Sequence, residues 1–293
     1  MLDEMLRLTT GAENRSTETG IPGVVMVRGE IPEHQLAAVY EPMINLILQG
    51  GKTLNIGDQV YHYDTANYFV MSIDLPATGM VHHAGPERPY TSVALMLDPI
   101  RVADLLMDVP PQPYAASQRG GYSVCTVTPE LLDAWLRLLR LMARPADIAA
   151  LAPAYEREIL YRVLQGPQGW MLREIIAPDS ALSQVRSAIR WIRKHYAKAV
   201  EVEQLARMTS MSVSAFHRHF KAVTAMSPIQ FQKRIRLLQA RQLLISQSVN
   251  ASSVAYDVGY ESASQFTREY ARFFGLPPAK DAAQIRERIK TAA

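Results

Sequence analysis

Two hydrophobic periods divide this chain. Between Gly23 and Leu97 apolar and polar positions alternate in short β-branched and aromatic runs, and residues 24–27, 43–48, 52–56, 59–63, 68–73 and 92–97 are predicted strands. Gln49-Gly50-Gly51 and Asn55-Ile56-Gly57-Asp58 supply turns between them, because glycine reaches positive φ without steric cost. Strands this short and closely spaced predict a small antiparallel barrel or sandwich. After Pro99 the period becomes helical. Residues 129–144 place Leu131, Leu132, Trp135, Leu138, Leu139 and Met142 on one face, and a further helix covers 146–164. Such stripes must be covered, by the barrel or by a second copy, and homodimerisation is the expectation.

Breaks at Gln165-Gly166-Pro167-Gln168-Gly169 and Ala177-Pro178-Asp179 bracket a connecting helix and put a domain boundary near residue 180. Beyond it the pattern is all helical. Helices are predicted at 183–198, 202–208, 215–222, 228–245, 252–258 and 263–273, with Met211-Ser212-Val213-Ser214 and Gly259-Tyr260-Glu261-Ser262 as turns. Phe216 and Phe220 lie four apart, and 50 residues later Phe266 and Tyr270 repeat the spacing. Two copies of one helix-turn-helix are implied. The aromatic pair of each copy faces a core, which leaves Ser214, His217, Arg218 and Lys221 on the open side of the first second-helix.

The charge changes with the period. Residues 1–180 carry 13 Lys+Arg against 21 Asp+Glu, whereas residues 181–293 carry 18 against 7. A basic half with two helix-turn-helix units fits a polyanion partner, double-stranded DNA. Cys125 is the sole cysteine, so no disulfide forms within the chain and no multi-thiolate zinc site is available. With no run of eighteen apolar residues, the expectation is a cytoplasmic chain without a membrane partner.

The C-terminal segment, from about Ser183 to Asp281, resembles the AraC family of transcription regulators. The resemblance rests on Ala255, Val258-Gly259-Tyr260, Ser264, Phe266, Arg268, Tyr270, Phe274-Gly275 and Pro277-Pro278. Phe220-Lys221, Ser227-Pro228, Arg236-Leu237, Ala240-Arg241 and Leu243-Leu244 are similar to first-half elements. Two positions depart from the pattern: Ala225 stands where glycine is common, and Ala271 where lysine is. Upstream, Leu48-Gln49-Gly50-Gly51-Lys52, Asp74-Leu75-Pro76 and Pro86-Glu87-Arg88-Pro89-Tyr90 resemble the cupin-like sensor of one AraC-type subgroup, over residues 20–165.

The resemblance implies an α+β multidomain chain. Residues 1–180 would form a cupin-like β-barrel with helices for sensing and dimerisation, and residues 181–293 an all-α double helix-turn-helix. It implies base-edge roles for Ser214, His217 and Arg218 in the first reader and for Ala263, Ser264, Gln265 and Arg268 in the second. Lys221, Lys233 and Arg272 are cast as phosphate partners, and Arg236 with Asp257 as a structural pair. A small-molecule effector would enter the barrel, and RNA polymerase would be a partner if the protein activates.

Tyr61, Tyr63, Tyr68, His82 and His83 are candidates for lining an effector pocket, where aromatic walls meet a few polar groups. Cupin barrels hold metals through histidines, but here the spacing argues otherwise. His82 and His83 are adjacent and point to opposite strand faces, and His217 and His219 diverge around a helix. No metal and no cofactor is expected. Cys125 is a candidate thiol sensor only if something stabilises its thiolate; no Lys, His or helix N-terminus neighbours it in sequence, though Arg119 is near. No nucleophile elbow, phosphate loop or carboxylate pair appears. The expectation is a regulator and not an enzyme. The alternatives are a cupin-type metal enzyme fused to a DNA reader and a thiol-based redox or electrophile sensor.

Overall fold

The computed structural model describes residues 1–29, 36–65, 67–83, 85, 87–110, 120–177, 180–247 and 249–292. Pro86, Arg119, Pro178 and Asp179, used in the sequence reading, lie outside them. An N-terminal helix α1 (Leu2–Leu8) precedes ten strands, β1 (Thr17–Glu18), β2 (Val24–Arg28), β3 (Ala38–Tyr40), β4 (Met43–Gln49), β5 (Gly51–Ile56), β6 (Gln59–Asp64), β7 (Asn67–Met71), β8 (Leu75–His82), β9 (Thr91–Met96) and β10 (Tyr122–Thr126). They form two antiparallel sheets, ordered β1-β2-β9-β4-β7-β10 and β3-β8-β5-β6. The expected barrel is therefore a two-sheet unit that strand pairing does not close into a cylinder.

Alternation places Lys52, Leu54 and Ile56 of β5 on the inner face with Tyr63 of β6, while Thr53 and His62 pair on the outer face. Gly50 allows the tight β4–β5 connection. Its φ is +81°, and a Cβ there would lie 2.3 Å from the His82 carbonyl oxygen. Strand β8, absent from the predicted strands, carries Pro76. That residue sits where β8 pairs only with β3, and the β5 ladder begins two residues later at Thr78, so the missing N–H breaks no central rung.

Helices α2 (Pro99–Asp108), α3 (Pro129–Arg140), α4 (Pro145–Gln165) and α5 (Gly169–Ile176) share one apolar core with the sheets. The α3 stripe of Leu131, Trp135, Leu138 and Leu139 is fully buried inside the chain, against α1 and α4. The apolar surface that motivated dimerisation is thus covered without a second copy.

Seven helices follow: α6 (Ala181–Lys194), α7 (Val202–Met208), α8 (Val213–Thr224), α9 (Pro228–Ser246), α10 (Ala251–Asp257), α11 (Ala263–Phe274) and α12 (Pro278–Ala292). One apolar core runs from the sheets through α6 and α8 to Phe231 and Ile235 of α9. A second, smaller core holds Leu237, Ala240, Leu244, Val254, Ala255, Val258, Tyr260, Phe266 and Tyr270.

Candidate nucleic-acid interface and ligand interior

Both second helices of the helix-turn-helix units are built from the same local rules at a spacing of 50. Ser212 caps α8 by accepting from the Ala215 N–H, and Ser262 caps α11 by accepting from the Gln265 N–H. Phe216 and Phe220 pack 5.4 Å apart inside, as Phe266 and Tyr270 do at 5.5 Å. Each helix ends in a left-handed residue, Ala225 at φ +59° and Gly275 at φ +82°, and Pro228 and Pro278 then open the next helices. Ala225 holds for α8 the conformation that glycine adopts without strain, a physical reason for its departure from the family pattern to matter.

With the aromatic side of each helix inward, Ser214, His217, Arg218 and Lys221 of α8 are exposed, as are Ser264, Arg268 and Arg272 of α11. Ala263 and Gln265 are half-buried. Helix α9 joins the units over 19 residues, about 28 Å at 1.5 Å each. Lys233, cast from the sequence as a phosphate partner, is held in an ion pair. It binds Glu269 of α11 at 2.8 Å, and Gln265 and Tyr260 donate to the same carboxylate. Burial pushes Glu269 up, and these hydrogen bonds more than reverse it, leaving the carboxyl below its usual range.

Arg236 is structural, but its partner is not Asp257, which is exposed. Its guanidinium donates to the carbonyls of Tyr196, Ala197 and Lys198 just beyond α6 and lies over the Tyr260 ring. Gly259 packs on the same segment. A Cβ there would come within 2.1 Å of the Ala197 carbonyl oxygen, so only glycine, at φ +92°, fits. On the far side Arg241 binds Asp281 through two hydrogen bonds of 2.8 and 2.9 Å, and the Tyr270 hydroxyl donates to Asp281 at 2.7 Å. The second unit is thereby fixed to α9.

The first unit is fixed to the sheets instead. The Gly121 N–H donates to the Val223 carbonyl near the end of α8, at 3.0 Å. The β5–β6 turn meets the α8 cap, where a Cβ on Gly57 would stand 2.7 Å from the Ala225 carbonyl oxygen. Arg193 of α6 reaches Asp74 at 2.5 Å and Glu41 at 3.4 Å. The Gly121 and Gly57 contacts hold the C-terminal end of α8 and leave Ser214, His217, Arg218 and Lys221 exposed.

The five residues proposed for an effector pocket do not share one cavity. Tyr63 faces the interior, stacked on Phe69 at 5.4 Å and donating to Asn45 Oδ1. Tyr61, half-buried, packs edge-on to Tyr122 at 5.3 Å. Tyr68, one residue from Phe69, points to the opposite face, toward Gly166. His82 and His83 are exposed, and His82 Nε2 lies 2.7 Å from Thr53 Oγ1 on the outer face with His62. Period-2 alternation is the reason: Met80 and His82 share the side of β8 opposite to Gly79 and Val81.

Lys52 was missed. It is 8% exposed and faces the interior, with Nζ 4.7 Å from the Tyr40 ring centre, and burial lowers its pKa to about 8. The signal was present, since a lysine at the inward position of Lys52-x-Leu54-x-Ile56 breaks the alternation. Cys125 is buried, and desolvation pushes its thiol up to about 11, away from the thiolate a redox sensor needs. Among the described residues no three His, Cys, Asp or Glu side chains gather as a metal cluster, and no helix is long and apolar enough to cross a membrane.

Residues 20–171 match a family described as the AraC-type transcriptional regulator N-terminus, and residues 205–284 match a helix-turn-helix domain. The HTH-type transcriptional activator RhaS of Salmonella schwarzengrund is 28% identical over 165 residues, 56% of this chain and 58% of RhaS. The chain thus spans under two thirds of that relative. In fold it is similar to ToxT of Vibrio cholerae, solved with an unsaturated fatty acid bound, at a TM-score of 0.55, 9% identity, and coverage of 89% of this chain and 93% of ToxT. A second ToxT structure aligns at 0.53 and 8% identity over 88% of this chain and 92% of that one. With more than half its length inside the regulator N-terminal family and a helix-turn-helix match behind it, the chain belongs to the AraC family of transcriptional regulators.

Proposed function

We propose that the chain is a sequence-specific DNA-binding transcription regulator in which residues 1–180 take a small-molecule effector and residues 181–293 read DNA. The observation that carries this is the 50-residue repeat, which presents two capped helices with exposed basic and polar faces on one rigid connecting helix. An α-helix fits the major groove, where the four base pairs differ in donors and acceptors. Ser214, His217 and Arg218 read bases in one groove, and Ala263, Ser264, Gln265 and Arg268 in the next. Lys221 and Arg272 meet phosphates, while Lys233 does so only if it leaves Glu269. In this reading the chain is not an enzyme, acts in the cytoplasm, and contacts RNA polymerase when it activates. A homodimer would pair two such readers on a two-fold site.

The effector half is supported by the polar groups of Asn45, Lys52 and Tyr63 buried inside the two-sheet unit and by the ligand-bound ToxT of like fold. Gel shifts of the full chain on operator DNA at several salt concentrations test the DNA half. Affinity falls steeply as counterions are released. Salt-insensitive binding, or none, contradicts it.

A further inference from the structure

The second reader carries a polar network built on residues that the first does not share. In the 50-residue repeat, Gln265 and Glu269 stand where α8 has Ala215 and His219. Gln265 and Glu269 lie four apart on α11, one above the other on the same side of the helix. Glu269 Oε1 accepts from Gln265 Nε2 at 3.1 Å and from Lys233 Nζ of α9 at 2.8 Å, and its Oε2 accepts from the Tyr260 hydroxyl at 3.0 Å. The carboxylate is thus anchored from α9 and from the turn before α11 as well as by the amide. Lys233, Tyr260 and Gln265 line an open cleft between α9 and that turn.

A carboxylate ion only accepts hydrogen bonds, so the end of the Gln265 amide that faces it is the nitrogen. The planar amide then turns Oε1 away from Glu269, and among the described residues that oxygen accepts no hydrogen bond. One of the two Nε2 hydrogens is also left over. We infer that Glu269 is a positioning residue for base recognition: it fixes the Gln265 amide with Oε1 toward the DNA groove, and so makes the second reader demand adenine at one base pair. This rests on the reading of α11 as a base-reading helix. In the major groove adenine offers its N6 donor beside the N7 acceptor, which Oε1 and the remaining N–H match together. Guanine offers two acceptors there, one of which would face Oε1 and leave both oxygens without a donor. A carboxylate this close to the reading face also repels phosphate, so it lowers affinity for every sequence while it sharpens one position.

Site selection from randomised DNA with the full chain tests this, Gln265→Ala locating the base pair that Gln265 reads. Wild type should prefer adenine over guanine there by about tenfold or more. Glu269→Gln keeps the size of the side chain but lets either end of the Gln265 amide face it. That variant should cut the preference to about threefold or less, while the block read by Arg218 stays intact and reports that the chain is folded. Its affinity for non-specific DNA should rise, with a salt dependence steeper by about one phosphate contact as Lys233 is released. In the Gln265→Ala background Glu269→Gln should alter no base preference. An unchanged consensus in Glu269→Gln, guanine at the Gln265 position, or relaxation that persists without Gln265 overturns the inference. So does equal weakening on all sequences, the mark of a brace and nothing more. Each of these results leaves sequence-specific binding by the chain standing. A wild-type chain that selects no sequence defeats that reading and the inference with it.

Discussion

Phe216 and Phe266 hold equivalent places in two helix-turn-helix units, yet their surroundings differ. Phe216 belongs to a core that continues through α6 into the β-sheets, whereas Phe266 sits in a separate cluster with α10, α11 and the second half of α9. The repeat supplies two similarly capped helices that share Ser214/Ser264 and Arg218/Arg268 on their exposed faces. The sequence around it decides that one reader is built into the sensor and the other hangs from α9. A signal from the sheet interior therefore has a packed route to α8, through Asp74–Arg193 and Gly121–Val223, and reaches α11 through α9 and through the contact of Gly259 with Ala197 beyond α6. The comparison also bears on any fragment of residues 181–293: α11 keeps its whole core there, and α8 loses the sheet side of its own.

The sharpest way to break this asymmetry is to empty each core. Phe216→Ala and Phe266→Ala should each cost about 3–5 kcal/mol locally, as deletion of a buried ring does. Native-state hydrogen exchange distinguishes them. Phe216→Ala should lower protection in the β-sheets as well as in α8, and Phe266→Ala should leave the sheets unchanged. The same footprint for both would dissolve the distinction.

Next in size is the charge inside the sensor; the buried Asp281 of the helical half, by contrast, is paired with Arg241. Lys52 titrates near 8 when folded against 10.5 when free, so between these values the unfolded chain holds more protons and stability rises with pH. The phenols of Tyr40, Tyr63 and Tyr90, raised by burial, oppose this above pH 10, so the useful window is pH 8 to 10. Denaturant titrations should show wild type gaining about 2–3 kcal/mol relative to Lys52→Met across it, with Lys52→Met the more stable below pH 8. A constant difference across the window would place Lys52 in water.

Arg218→Ala and Arg268→Ala sharpen the comparison from the DNA side. Each should weaken operator binding by about 1–3 kcal/mol, measured by fluorescence anisotropy, while Lys221→Ala weakens every sequence alike. Affinity unchanged in both arginine variants would remove them from the interface. The smallest effect concerns the caps. Ala225→Gly should stabilise the chain by about 1 kcal/mol in thermal denaturation, since both helix ends are left-handed and alanine is strained in that conformation where Gly275 is not. A loss of stability would mean that the Ala225 methyl contributes more in packing than its backbone costs.

Much of this was legible in sequence because local rules agreed. Val202–Met208 is recovered to the residue, and the helices from Pro228 and Ala263 to within one at either end. Periodicity, serine caps and proline starts all point the same way at these places. What was not legible is relational. Edge strand β10 carries Ser123 and Cys125 with no clean alternation and is defined by its pairing with β7. Arg236 reads as one half of a charge pair, but its partners are three carbonyls some forty residues earlier, which no spacing rule announces. The tyrosines and histidines looked like one pocket by composition. Strand parity separates them, and the same parity, applied to Lys52, would have found the buried charge.

The account's central claim is that two readers on one chain enter successive grooves, and selection of bound sites from randomised DNA tests it directly. The full chain should select two conserved blocks about 10–10.5 base pairs apart, with Arg218→Ala relaxing one block and Arg268→Ala the other. A single block, or the same positions relaxed by both variants, would contradict it.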